Sequence, residues 1–290
     1  MTENLYQQHQ FKQLALLGIP FDDNSSFEKG AAKAPAIIKD VLANGSLNKG
    51  TELGVNLANN SHWQVVEDIP FNDDVHFNER IATTVGEHLA SQRLLLSLGG
   101  DHSVSYPILS AYAKHFPRLN ILHIDAHSDL YDSFKGNRFS NACPFARVME
   151  DELCQRLVQV GIRTLNQHQI EQAEKFNVEM VEMRHWPLTQ PLSFDGPVYV
   201  SLDIDGIDPA FAPGVSHREP GGLTSRDVIN LIHKIDAPVV GADIVEFNPN
   251  RDIDGITALL LAKLTKELAG KIISSTLSLK CKLNDNHLKA

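Results

Sequence analysis

Four apolar runs rich in Leu, Ile and Val each end in charged or imidazole side chains. "RLLLSLGGDHS" ends in Asp101 and His102, "NILHIDAHSD" in Asp125, His127 and Asp129, "PVYVSLDID" in Asp203 and Asp205, and "APVVGADIVEF" in Glu246. Runs of this kind read as buried strands, where an unpaired carboxylate costs several kcal/mol as an order of magnitude. The charges must therefore compensate one another through something shared, most simply a metal ion. Extended backbone sends alternate side chains to one face, which groups Asp125 with His127 and Asp129, and Asp203 with Asp205. In open parallel sheets ligands bind beyond the carboxyl ends of strands, so these sets can converge on one crevice. With His102 they amount to four carboxylates and two imidazoles, more than one divalent cation needs. A pair of ions sharing carboxylates fits better. Oxygen and imidazole ligands without thiolate favour Mn²⁺, or Co²⁺, Ni²⁺ or Fe²⁺, over structural Zn²⁺.

The runs alternate with helical patterns almost from end to end, the habit of an α/β fold with a mainly parallel sheet. Strands are expected in "QLALLGIP", "LVQVGIR" and the four runs above. Helices are expected in "KAPAIIKDVL", where Pro35 suits a first turn, in "ERIATTVGEHLASQ", "YPILSAYAKHF" and "SRDVINLIHKI", and in "GITALLLAKLTKELAGKI". No linker or repeat interrupts the series, so residues 1–290 read as a single domain. The first ten or so residues and the tail from about Ser274 lose periodicity and are expected to be peripheral.

A formal net charge of -10 argues against a nucleic-acid surface or an anionic membrane partner and suits a small cationic or neutral substrate. No apolar run approaches the ~18 residues of a membrane span. Cys143, Cys154 and Cys281 form neither a disulfide framework nor a zinc knuckle, and "MTENLYQQHQ" lacks the order of a secretory signal, so a reducing cytoplasm is expected. Blander readings exist for each motif alone. A single DxD is common on solvated loops, His102 alone could be a core histidine, and Glu246 alone half of an ion pair. An EF-hand in "DIDGID" fails, because Gly206 comes too early. Cys143 has no neighbouring base and reads as packing.

"GGDHS", "DAHSD" and "SLDIDGIDPAFAPG", in this order, resemble the signatures of the ureohydrolases, which include arginase and agmatinase. The likeness runs from "GIPFDDNSSFEKGAAKAPAIIKDVL" to "GADIVEFNPNRDIDGITALLLAKL", and "DPAFAPGVSHREPGGLTSRDV" looks most like the plant-type arginase branch. The resemblance implies a three-layer α/β/α sandwich of the arginase/deacetylase kind, trimeric or hexameric assembly, and a two-manganese cluster. Carried over by motif, the ligands are His102, Asp125, His127, Asp129, Asp203 and Asp205. Asp125 and Asp203 would bridge, His102 and Asp129 would complete one site, and His127 and Asp205 the other.

The implied reaction is hydrolysis of the guanidino group of L-arginine to urea and ornithine by hydroxide generated between the ions. Glu246 would grip the guanidinium, and Asp129 would pass a proton to the leaving amine. One departure stands out: Asn141 occupies the place of a histidine that the plant-type pattern reads as a proton shuttle. Asparagine cannot titrate, which nominates His217 in "VSHREPGG" or solvent for that task. Agmatine or another guanidino compound is the alternative substrate, and Arg138 the candidate partner for a substrate carboxylate. A non-catalytic subunit that keeps its metals is the alternative of another class. A deacetylase-like amidohydrolase on a related fold, with one zinc, is a third.

Overall fold

The computed structural model describes residues 11–277 apart from 73, 189 and 191. The expected peripheral segments before Phe11 and after Leu277 lie outside the described residues. Eight strands form one sheet: β1 (Gln13–Gly18), β2 (Trp63–Val65), β3 (Arg93–Leu98), β4 (Asn120–Ile124), β5 (Arg156–Ile162), β6 (Glu179–Glu182), β7 (Val198–Asp203) and β8 (Val239–Val245). The α-helices are α1 (Ala34–Asn44), α2 (Phe77–Ala90), α3 (Ser105–Ala113), α4 (Pro144–Glu150), α5 (Gln167–Phe176), α6 (Ser225–Lys234) and α7 (Ile256–Ile272).

The strand order is β2-β1-β3-β8-β7-β4-β5-β6, and every pairing is parallel. A parallel strand pair needs a crossover, and crossovers are right-handed. Steps toward β2, taken through α1 and α6, therefore place those helices on one face, and steps toward β6 place α2 to α5 on the other. The helix contacts agree: α7 packs on α1 and α6, while α3 packs on α2 and α4. Both faces of the sheet are thus covered, which is why β4, β7 and β8 are buried along their whole length. The three-layer α/β/α architecture is the one expected.

This topology also says where a ligand belongs. The chain leaves adjacent strands β3 and β8 toward opposite faces, and does the same at β7 and β4. Such reversals open a crevice at the carboxyl edge of the sheet. The four strands that carry the acidic and imidazole ends, β3, β8, β7 and β4, are consecutive neighbours there.

At the opposite edge, a short π-helical turn at Ile273–Leu277 extends α7. Ser275 and Thr276 exchange hydrogen bonds with the backbone of Val239. The first residues of the segment expected to be peripheral from Ser274 are therefore held against β8.

Candidate metal centre and active-site cleft

His102 follows β3 in a short 3-10 turn capped by the side chain of Asp101. Its Nδ1 is buried and has no hydrogen-bond partner, yet three carboxylate oxygens surround it: Asp129 Oδ2 at 3.0 Å, Asp203 Oδ2 at 3.1 Å and Asp125 Oδ2 at 3.3 Å. On the far side of Asp125 lies a second group. His127 Nδ1 is 3.4 Å from Asp125 Oδ1 and 3.3 Å from Asp205 Oδ2. Adjacent ligands at right angles on an ion with bonds of about 2.1 Å stand about 3 Å apart, the spacing seen here. An orphaned imidazole nitrogen facing carboxylates that share one member fits a pair of divalent ions. Asp125, offering one oxygen to each side, is the common element.

Local structure explains the convergence. Asp125, Asp203 and Asp205 occupy the carboxyl ends of neighbouring strands, and the loops that carry them touch. The Gly206 Cα faces the backbone of Asp125, where a Cβ would lie 2.8 Å from the Asp125 nitrogen. Only glycine lets the two loops approach that closely. Asp203 Oδ1 and Asp125 Oδ1 accept the backbone N–H groups of Asp205 and His127, which turns each carboxylate toward the cluster. Asp129 and Glu246 both adopt positive φ, 50° and 65°, a conformation costing about 1–3 kcal/mol in a non-glycine residue.

A cleft of about 460 Å³ opens on this cluster, lined by His127, Asp129, Asp203, Asp205, His217 and Glu246. Glu246 Oε1 accepts from His102 N–H at 2.8 Å and from Asn141 Nδ2 at 2.9 Å. Burial, with Asp101 nearby, raises its carboxyl to about 8. Burial and the neighbouring Asp125 likewise raise Asp129 to about 6. Burial opposes charge on His127, but Asp205 and Asp125 outweigh it and lift the imidazole to about 12. Carboxylates gathered this closely hold protons where no cation compensates them, and a divalent ion bound there would displace those protons.

Asn141 also accepts from Ser26 N–H at 2.9 Å, tying the 24–26 loop to Glu246. His217 stands at the cleft wall, its ring 5.7 Å from that of His127 and 5.3 Å from Phe27, and burial lowers its pKa. The expected ligands His102, Asp125, His127, Asp129, Asp203 and Asp205, together with Glu246, Asn141 and His217, border one hollow or lie directly beneath it. Arg138 does not. It pairs with Glu150 at 2.8 Å on the exposed side, which corrects its expected role toward a substrate carboxylate. Arg163 does line the cleft, but its guanidinium is taken up by the carbonyls of Gly161, Asp205, Gly206 and Glu219. Cys143 is buried, and burial with Asp129 beside it pushes the thiol up to about 12, as befits a packing residue.

His123 stands outside the motifs that single out the other groups. It sits two residues before Asp125 on β4, its Nε2 is 2.8 Å from Asp125 Oδ2, and it stands among the groups close enough to hold an ion. The alternation that groups Asp125 with His127 extends back to it, so the sequence does carry a signal for it.

Residues 12–270 match the sequence pattern of the arginase family. Over 276 residues the chain is 46% identical to "Arginase 1, mitochondrial" of Arabidopsis thaliana, covering 89% of this chain and 80% of that protein. It is 42% identical over 276 residues to the same plant's "Arginase 2, chloroplastic/mitochondrial", covering 89% of this chain and 80% of that one. Among solved structures, the arginase from Medicago truncatula superposes with a TM-score of 0.85 at 42% identity, covering 90% of this chain and 88% of that one. These names overturn the expected cytoplasmic location, since both Arabidopsis relatives are designated organellar. The physical reason is that sparse unpaired cysteines report a reducing compartment and do not distinguish the cytoplasm from an organelle interior. Sequence, fold and the arrangement of the cleft agree: the chain belongs to the arginase family.

Proposed function

We propose that this protein hydrolyses the guanidino group of L-arginine to urea and ornithine, using two divalent ions, Mn²⁺ foremost, held by His102, Asp125, His127, Asp129, Asp203 and Asp205. The reading rests on one observation above all: His102 Nδ1 and His127 Nδ1 face separate carboxylate sets that share Asp125, at the base of a cleft containing Glu246. When bound, the ions supply Lewis acidity and a hydroxide nucleophile at neutral pH. The names of the plant relatives support arginine as substrate.

The chain's own groups have separable tasks. Glu246 commits Oε1 to His102 and Asn141, which leaves Oε2 for the planar cation. A guanidinium bound there restores the charge that burial suppresses and orients the carbon toward the cluster. Asp129 turns Oδ2 toward His102 and keeps Oδ1 for the proton that the leaving amine requires. His217 lines the cleft with its pKa lowered by burial, and as an imidazole it can carry a proton where Asn141 cannot. Asn141 instead holds Glu246 in place.

Agmatine is the second reading, and one observation favours it. Among the described cleft residues, the one guanidinium, that of Arg163, is already bonded to carbonyls and offers no salt bridge to an α-carboxylate. The experiment is urea release from L-arginine, agmatine and 4-guanidinobutyrate after loading with Mn²⁺, Co²⁺ or Ni²⁺. Highest kcat/KM for L-arginine with Mn²⁺ is expected. Preference for agmatine transfers the activity to the second reading, and silence with every pair leaves a metal-binding protein without this chemistry.

A further inference from the structure

Beneath the cluster, a row of polar side chains crosses five strands in register. Ser97 pairs with Asp243, Asp243 with Ser201, Ser201 with His123, and His123 with Gln159. All are 0% exposed. A sheet covered on both faces ordinarily fills such positions with aliphatic residues, and each polar group here has a desolvation cost. On β4 and β7 the row lies two residues before Asp125 and Asp203, on the same face of the sheet.

Two branches rise from it. In the first, Asp243 Oδ1 accepts the Ser201 hydroxyl at 2.7 Å, and Oδ2 accepts the Tyr199 hydroxyl at 3.0 Å. With its proton spent on Asp243, Ser201 Oγ can only accept from His102 Nε2, 3.0 Å away. The lone pair of His102 is thereby left on Nδ1, facing the carboxylates. In the second branch, Gln159 Nε2 donates to the Ser128 carbonyl at 2.6 Å and presents its other hydrogen to His123 Nδ1 at 3.0 Å. A carbonyl cannot donate, so the amide orientation follows, and with it the tautomer of His123. Its proton resides on Nε2 and goes to Asp125 Oδ2. No lone pair of His123 remains for an ion.

We propose that His123, set by Gln159, is a positioning residue that fixes Asp125 as a carboxylate shared by both ions, whereas Asp243 and Ser201 set His102 for one ion alone. The inference rests on the reading of the cluster as a two-ion centre. It assigns the two branches different signatures: loss of the His123 branch weakens both sites, and loss of the Ser201 branch weakens one.

The test is calorimetric titration of the full chain with Mn²⁺, with electron paramagnetic resonance of the exchange-coupled pair as a second readout. His123→Phe preserves the ring stack on Phe145, 3.9 Å between centroids, and removes the donor. Both Mn²⁺ affinities should fall about ten- to a hundredfold, and the coupled signal should fade. Ser201→Ala should lower one affinity by a similar factor and leave the other. Should His123→Phe fail to fold, Gln159→Met keeps His123 in place without its partner, and both affinities should still drop, by about tenfold. A merely structural role would lower Tm without this split between one site and two. Wild-type uptake of two ions with unchanged affinities in the folded His123 or Gln159 variant overturns the proposal alone. Wild-type uptake of fewer than two ions overturns the two-ion reading and the proposal with it.

Discussion

Glu246 accepts two donors at one oxygen and sits in a backbone conformation that non-glycine residues avoid. The surrounding contacts hold it there, and Asn141 is the one that can be removed without touching a proposed metal ligand. Asn141→Ala is expected to raise KM for a guanidino substrate about tenfold, the worth of a hydrogen bond to a charged group, with kcat changing less. Steady-state urea release checks this, and an equal fall in kcat with constant KM would show that Asn141 acts in the transition state instead. The residue types of the cluster were legible in the sequence because acid and imidazole groups at the ends of apolar runs require a shared counter-charge once they are buried. The function of Asn141 was not. As a replacement for a histidine it read as a loss, and only the bonds to Glu246 and Ser26 display what the amide holds together.

At the level of elements, the loop after β7 and the loop after β4 meet through Gly206. Gly206→Ala would place a methyl group 2.8 Å from the Asp125 nitrogen, so the Asp203–Asp205 turn must withdraw from Asp125. Loss of at least one Mn²⁺ per chain by elemental analysis is expected, in a protein that retains its far-ultraviolet circular dichroism. The strands and the apolar helices follow from local pattern, since periods of two and 3.6 are properties of a single segment. Helix α5 did not announce itself this way. "NQHQIEQAEKF" is polar nearly throughout, and its start is marked by a capping box in which Asn166 and Gln169 exchange side-chain to backbone bonds at 3.0 Å. Strand β6 is short and at the sheet edge, where neither face need be strongly apolar.

For the molecule as a whole, the proposed two-ion centre would couple metal to stability, because ions that bind only the folded chain add RT ln(1 + [L]/Kd) for each site. Mn²⁺ at a hundred times Kd should add about 2.7 kcal/mol per site, read as a rise in Tm that chelator reverses. A second, acid-sensitive contribution comes from groups that do not line the cleft. Glu267 is buried and takes up His233, Lys263 and the backbone of Glu52, while Arg226 and Lys263 hold Glu52 down to about 2. The folded values of both carboxyls are depressed, so this stability is present above about pH 4.5 and disappears as pH falls toward 2. Lys263→Met should therefore lower the unfolding free energy at pH 7, read from denaturant titration, by about 1–2 kcal/mol after discounting the exposed part, and flatten its decline between pH 5 and 2 relative to wild type. The sequence by itself determined which side chains stand at strand ends and which alternate onto one face, because strand periodicity is a local property of the backbone. Tertiary structure alone decided that β3, β8, β7 and β4 are neighbours, that Arg163 is spent on carbonyls while Arg138 turns away, and that Gln159 meets His123. Those meetings depend on crossover direction and register between distant segments, which no single stretch of chain encodes.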